Sequence, residues 1–297
     1  MTDPISAPDR PPALEPCPTP LAWQQVVQGV LEASRPLEFA AEGVRVEGLE
    51  FGSGLPLVFL PPAAGTHRLF ALTAWLLKDE FRCLMLGNIE WRKPPRCSEL
   101  TARSAAVLEQ VITTFSSEPV DLFASGTSMD AALELMRLRP ERVRRAILQG
   151  GSGQRLTLRE RLLLKAGLWF PGRLKNVPGW LPVQIQNHRV WFPPFDESRF
   201  GFLLGELRKQ KTAEVARRLL SARTNWEGVD LSTVRQPVML LHGEGEGPHA
   251  QAQLEQLEHN LPQAESTAMH TTGIYPYVTH PHRLVKVLRS HLQPTST

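Results

Sequence analysis

The stretch from Val120 to Gly151 constrains the fold more than any other part of the chain. It opens with an apolar run, Val120 to Ala124, that is long enough for a buried strand, and a sharp turn follows from Ser125 to Met129. Apolar residues at helical spacing come next, and Arg139-Pro140 ends that helix because proline cannot continue it. A second apolar strand, Val143 to Leu148, completes the unit. This order predicts a parallel crossover of strand, turn, helix and strand.

The turn is typical of a nucleophile elbow, in which a serine sits on a strained corner between strand and helix. Gly126 precedes Ser128 by two residues, which makes Ser128 the candidate nucleophile in a G-x-S-x-G pattern. The last position of that pattern is Asp130, where glycine would let the backbones approach closely. A carboxylate there opposes a developing oxyanion, or it simply favours the N-terminal dipole of the helix. Ser128 itself has a second interpretation, as a small residue that a tight turn tolerates.

Length and composition indicate a globular α/β chain without a nucleic-acid function. The chain has 297 residues and a net charge of +3, which is too weak to indicate a nucleic-acid partner. Cys17, Cys83 and Cys97 show no metal-ligand spacing, so we expect no metal, no cofactor and a reducing cytoplasmic location. No secretory signal is recognisable, and no apolar run reaches transmembrane length, so we expect no integral membrane contact.

The order of apolar runs predicts four regions. Residues 1–20 contain seven prolines and are expected to form a disordered tail. Residues 21–151 and 231–297 alternate strands with helices, which predicts a mostly parallel central sheet flanked by helices on both faces. Residues 152–230 are helical and irregular, and they lie where a cap would interrupt the sheet.

These features together resemble the α/β-hydrolase fold across roughly Leu37 to Leu292. Within that superfamily the chain resembles the maspardin family, in the segments LVFLPPAAGT, LFASGTSMD and TTGIYPYV. The resemblance implies a cytosolic, adaptor-like protein with peripheral membrane association. In active hydrolases of this fold the catalytic residues follow the order serine, acid, histidine.

The acid and base positions follow from that order. The acid is expected after the strand that ends at Leu241, where Glu246 is the candidate, with Glu244 less well placed. Glu246 can also be a solvated residue of a glycine-rich loop. The histidine position is occupied by Ile274, so the base is missing. His270 and His67 are the candidate substitutes, and each can instead be a packing or surface residue.

The loop expected to supply oxyanion donors also departs from the pattern. Pro61 and Pro62 stand where active hydrolases have His-Gly, and proline has no N–H to donate. Ala63 and Ala64 retain their N–H groups and are candidate donors. Met129, Asp130 and Tyr275 are the remaining residues expected at this vestigial pocket.

The degraded triad predicts a non-catalytic protein that acts by binding a protein partner or a small hydrophobic ligand. The first alternative is a serine hydrolase of carboxylic esters with an atypical base. The second is a small-molecule receptor that uses the vestigial pocket. An enclosed apolar cavity would favour a receptor, and an exposed apolar patch on the cap would favour a protein partner.

Overall fold

The computed structural model describes residues 21–153 and 155–293, and the tail predicted for residues 1–20 lies outside them. Within these ranges one mixed sheet of nine strands forms the centre. The strands are β1 (Arg35–Ala41), β2 (Val44–Phe51), β3 (Leu55–Leu60), β4 (Phe81–Leu86), β5 (Glu90–Trp91), β6 (Val120–Ser125), β7 (Val143–Gln149), β8 (Val238–Gly243) and β9 (Ala264–Met269).

The helices alternate with the strands except between β7 and β8. Those within the alternating parts are α1 (Trp23–Ala33), α2 (Ala71–Leu77), α3 (Cys97–Phe115), α4 (Ser128–Leu138), α9 (Gly247–Asn260), α10 (Pro276–Thr279) and α11 (Pro281–Leu292). Between β7 and β8 lie α5 (Leu158–Gly167), α6 (Trp180–His188), α7 (Glu197–Leu207) and α8 (Thr212–Ser221). We refer to residues 152–230, described except for residue 154, as the cap.

The sheet is parallel from β4 to β9. The strand order is β1-β2-β4-β3-β6-β7-β8-β9, with β1 and β2 antiparallel at one edge and β5 paired to β2. The residues of β3 are apolar with little alternation. Such a sequence is typical of a strand that helices cover on both faces. The predicted mostly parallel sheet flanked by helices is therefore confirmed.

Each face of the sheet has its own hydrophobic core. Leu57 and Phe59 of β3 point to the face covered by α1, α2 and α11, whereas Val58 and Leu60 point to the face covered by α3, α4 and α9. Successive side chains of a strand alternate between faces, so a continuous apolar run supplies both cores. This packing holds the strands in register and brings the carboxyl ends of β3, β6, β8 and β9 to the same edge, where ligands bind in open α/β sheets.

The cap lies against the loops at that edge and exposes many apolar side chains. The indole of Trp191 packs on Gly245 and Gly273, which follow β8 and β9. On the outer side, Leu158, Trp169 and Phe195 are 75%, 88% and 90% exposed. Among residues 21–153 and 155–293, no helix combines the length and the apolar character needed to span a bilayer.

Candidate functional site

The corner of the turn after β6 is formed by Gly126. Its φ is +57°, in the left-handed region, while Thr127 has a φ of −59° and α4 begins at Ser128. A Cβ atom at Gly126 would lie 3.1 Å from Pro62 Cβ on the loop after β3. The nucleophile of an elbow is the residue on the strained corner. In this chain that corner belongs to glycine, two residues before the serine that motif counting selects.

Ser128 has a structural bond in the first turn of α4. Its Oγ donates a hydrogen bond to the carbonyl oxygen of Pro61 at 2.5 Å, and within the described chain it has no imidazole partner. The N–H of Met129 donates to the carbonyl of Gly126 at 3.0 Å, so it is not free for an oxyanion. Ser128 therefore joins the elbow helix to the loop after β3.

The acid candidate Glu246 belongs to a buried hydrogen-bond chain that starts at the elbow strand. Ser125 Oγ donates to Gln149 Oε1 at 2.5 Å, and Gln149 Nε2 donates to the Glu246 carboxyl group. Burial raises the pKa of Glu246 to about 8, although the bond from Gln149 opposes the rise. The raised pKa disfavours the ionised form of Glu246, which is the form that would orient a histidine. Glu244 instead accepts from the Thr271 N–H at 2.8 Å.

Ile274 stands in the cavity where a base would act. This cavity has a volume of about 350 Å³, and its lining includes Gly126, Gln149, Glu246 and Ile274. The three positions of a triad are therefore brought together, but they carry a glycine, a carboxyl group and an alkyl chain. At these three positions there is neither a hydroxyl nor an imidazole, which the usual acyl-transfer route requires.

One histidine at this cavity was not among the candidates predicted from the sequence. His249 lies in the first turn of α9 and lines the same cavity, with its Nε2 3.4 Å from Gln253 Nε2. His249 stands three residues after Glu246 in the sequence, and residues at that spacing lie close together in a helix. The two histidines predicted as substitute bases, His67 and His270, do not line this cavity. Burial and then the charge of Arg68 lower the pKa of His67 to about 4, and His270 is exposed.

The loop after β3 keeps part of a donor set. Within the described residues, the N–H groups of Ala63 and Thr127 donate to no protein acceptor. The loop is held in place by Arg218, whose Nη1 donates to Ala63 O at 2.9 Å, and by Asn88, whose Nδ2 donates to Pro62 O at 3.1 Å. An oxyanion hole of this fold uses the residue after the nucleophile and one N–H of this loop. Those two donors are positioned around Gly126.

The other pocket candidates have packing roles. Ala64 packs against a small apolar cluster of Ala63, Leu174 and Val215. Tyr275 is buried edge-on to His188, with ring centroids 5.1 Å apart, and burial raises its pKa. Asp130 is 2% exposed, and its Oδ2 accepts the Arg223 N–H at 2.8 Å. The Asp130 carboxyl therefore ties α4 to the segment after α8, and burial raises its pKa to about 6.

Comparison with solved structures identifies the architecture. A thermophilic esterase from Thermogutta terrifontis superimposes with a TM-score of 0.69 at 15% identity, covering 87% of this chain and 98% of that one. Carboxylesterase CesB from Bacillus subtilis gives 0.66 at 14% identity over 91% and 97% of the two chains. Naproxen esterase, also from B. subtilis, gives 0.64 at 14% identity over 91% and 97%. The chain has the α/β-hydrolase fold. At this identity the likeness shows the fold alone.

The α/β-hydrolase fold assigns a role to each loop at the carboxyl edge. The nucleophile follows β6, the acid follows β8 and the histidine follows β9, so the three loops carry Gly126, Glu246 and Ile274. No protein-family model matches the chain, and no curated protein sequence matches it. The maspardin resemblance therefore stays a prediction.

Proposed function

We propose that this protein is a non-catalytic member of the α/β-hydrolase fold class that acts by binding. The observation that carries the proposal is the left-handed corner of the elbow, where the chain places Gly126 and therefore no nucleophile. The serine that remains, Ser128, is held by Pro61 O and has no imidazole partner in the described chain. The members of a triad act as a unit, so the loss of two of them removes nearly all of their contribution.

The state of Glu246 supports the same proposal. A carboxyl group that orients a catalytic histidine has to be ionised. Here Glu246 is bound to the neutral amide of Gln149 and has a pKa of about 8 because of burial. The residue at the acid position is one member of a partly buried hydrogen-bond chain in which the raised pKa favours its neutral form.

Ester turnover tests the proposal. Nitrophenyl acetate and butyrate are offered to the full chain and to Ser128→Ala, with an active carboxylesterase as the positive control. We expect rates at the background level for both proteins, because neither contains a nucleophile with a base. A clear activity that Ser128→Ala abolishes would refute the proposal.

The second candidate function is a serine hydrolase that uses Ser128 with an atypical base. Two observations favour it: the three structural neighbours named above are esterases, and Ser128 lines an enclosed cavity next to the loop after β3. In that case a fluorophosphonate probe would label wild type on Ser128 and leave Ser128→Ala unlabelled. Under the non-catalytic proposal neither protein reacts.

The partner of the proposed binding function stays a prediction, as does a cytoplasmic location. Among the residues that the structure describes, ten of the thirteen large exposed apolar side chains belong to the cap. They are Leu158, Leu162, Leu163, Trp169, Leu181, Val183, Ile185, Val190, Phe195 and Leu219. Exposed apolar surface of this kind is typical of interaction sites and supports a partner that docks on the cap.

A further inference from the structure

A second cavity lies on the other side of the elbow, enclosed by α3, α4, α8 and the ends of β3 and β4. Its volume is about 80 Å³, and it shares no lining residue with the cavity that holds Gly126 and Glu246. A water molecule needs about 10–15 Å³ of such space, so the cavity has room for several waters or for a small organic ligand that displaces them. Thr101 and Ser104 line it and are only partly buried, so solvent has access to it.

One side of this cavity is apolar. Leu60 and Leu86 from the sheet and Val107, Leu108 and Val111 from α3 form that side, and all five are buried. Such a wall gives a short alkyl chain a dry surface, at about 25 cal/mol for each Å² removed from water. This apolar wall does not stabilise the binding of a fully polar ligand.

The cap contributes a guanidinium group to the same cavity. Arg218 donates to Ala63 O at 2.9 Å and to Ile89 O at 3.3 Å, which uses two of the five N–H donors of its side chain. Within the described residues it has no carboxylate at ion-pair distance, and Glu214 and Glu90 act on it only at longer range. Burial lowers the pKa of Arg218 to about 10, so the group remains charged. A half-buried cation without an ion pair favours an anionic ligand.

Two acidic side chains also line the cavity, Asp130 from α4 and Glu214 from α8. The other elements that line it, α3 and the ends of β3, β4 and β5, contribute no charged side chain among the described residues. Asp130 is the buried one of the two acids, and its Oδ1 has no hydrogen-bond partner in the described chain. The charge of Arg223 favours the ionised form of Asp130, whereas a proton on Asp130 would remove its repulsion of an anion.

We propose that this cavity binds a short-chain aliphatic monocarboxylate, with the carboxylate on Arg218 and the alkyl chain against the leucine and valine wall. The inference rests on the proposed binding function and names a ligand class for it. Entry of the anion favours the protonated form of Asp130, whose pKa is already raised to about 6. Affinity should therefore rise as the pH falls from about 7.5 to about 6, by at most tenfold per pH unit for one proton taken up.

Calorimetric titration of the full chain with sodium butyrate tests the proposal, with butyramide as the uncharged isostere and sodium chloride as the ionic control. Butyramide should bind at least about tenfold more weakly, since it lacks the charge-assisted pair with Arg218. Arg218→Met should lose butyrate binding by a similar factor. Arg217→Met is the matched control on the same helix, since Arg217 does not line the cavity, and it should bind as wild type does.

A second variant separates binding from folding, because Arg218→Met also frees two loop carbonyls. Ser104→Leu fills the cavity from α3 and leaves Arg218 in place, so it should abolish binding without lowering the melting temperature. Ala102→Leu adds the same side chain at an exposed position of α3 and should bind normally. Equal binding of butyrate and butyramide, unchanged binding in Ser104→Leu, or no binding at all would each overturn the proposal. None of these outcomes depends on whether the protein hydrolyses esters.

Discussion

At φ +57°, Gly126 occupies a region where a Cβ atom crowds the following carbonyl oxygen. Any other residue adopts this conformation at about 1–2 kcal/mol. Active enzymes of the fold accept that strain in order to present a nucleophile. In this chain the corner carries no side chain, so the same turn is formed without strain. Glycine at this corner thus relieves the backbone strain of the elbow and places no side chain there.

Glu246 gives a prediction at the same scale. Its folded pKa of about 8 lies above the value of 4.5 for an unperturbed glutamate, because the folded state disfavours the buried charge. Between these two values the unfolded chain releases the proton while the native chain keeps it, so the free energy of unfolding falls as pH rises. Glu246→Gln should remove this slope and raise stability at pH 7.5 by roughly 1–3 kcal/mol. Urea unfolding at pH 5 and pH 7.5 measures both quantities.

The control for this prediction is Glu244→Gln, since Glu244 is exposed and makes one hydrogen bond to Thr271. It should leave the slope between pH 5 and pH 7.5 intact. If Glu246→Gln keeps the wild-type slope, Glu246 is ionised at neutral pH and the neutral hydrogen-bond chain does not exist.

Among the secondary-structure elements, the short helical segment after α6 determines how the cap meets the core. Its Trp191 covers the two loops that carry the acid and base positions. The indole contacts those loops at Gly245 and Gly273. A Cβ atom at Gly273 would lie 2.6 Å from Trp191 Cδ1, and one at Gly245 would lie 2.2 Å from Trp191 Cε2. These glycines are therefore required by the close approach of the cap.

The contact predicts coupling between the cap and the core. Gly273→Ala should destabilise the wild type by about 1–3 kcal/mol, because the added methyl group overpacks the indole. In a Trp191→Ala background the same change should be nearly neutral, which gives a coupling energy of similar size in a double-mutant cycle. Gly205→Ala in α7 is the control, as no atom lies within 4 Å of its added Cβ. Additive effects of Gly273→Ala and Trp191→Ala would show that the indole does not rest on this loop.

Across the whole molecule, the strands were the most predictable part. The apolar runs predict β6 and β7 to within one residue of the bounds that the structure shows, since a buried strand is marked by its own composition. The corner of the elbow was not predictable, because Gly126 and the first glycine of the G-x-S-x-G motif look the same in sequence. The cavity that Arg218 and Asp130 share was not predictable for another reason. They meet only through the fold, across 88 positions of the chain.

The assignment of the triad positions to Gly126, Glu246 and Ile274 predicts how turnover could be restored. The N–H groups of Ala63 and Thr127 donate to no protein acceptor in the described chain, and the nucleophile and base positions carry Gly126 and Ile274. Gly126→Ser combined with Ile274→His should hydrolyse nitrophenyl acetate about 10²-fold faster than either single variant, because the serine needs the imidazole as its base.

Adding Ser128→Ala to that pair distinguishes the two serine positions. The triple variant should keep the restored rate, since the new nucleophile stands on the strained corner and Ser128 only joins α4 to Pro61. Its stability should be lower than that of wild type by about 1–2 kcal/mol, because a serine at Gly126 has to adopt a left-handed backbone 3.1 Å from Pro62 Cβ. If Ile274→His alone produces turnover that Ser128→Ala abolishes, the nucleophile position is Ser128 and the assignment of Gly126 is wrong. The ester rates of these four proteins, measured beside their unfolding curves, decide between a fold that has lost its nucleophile and one that has lost only its base.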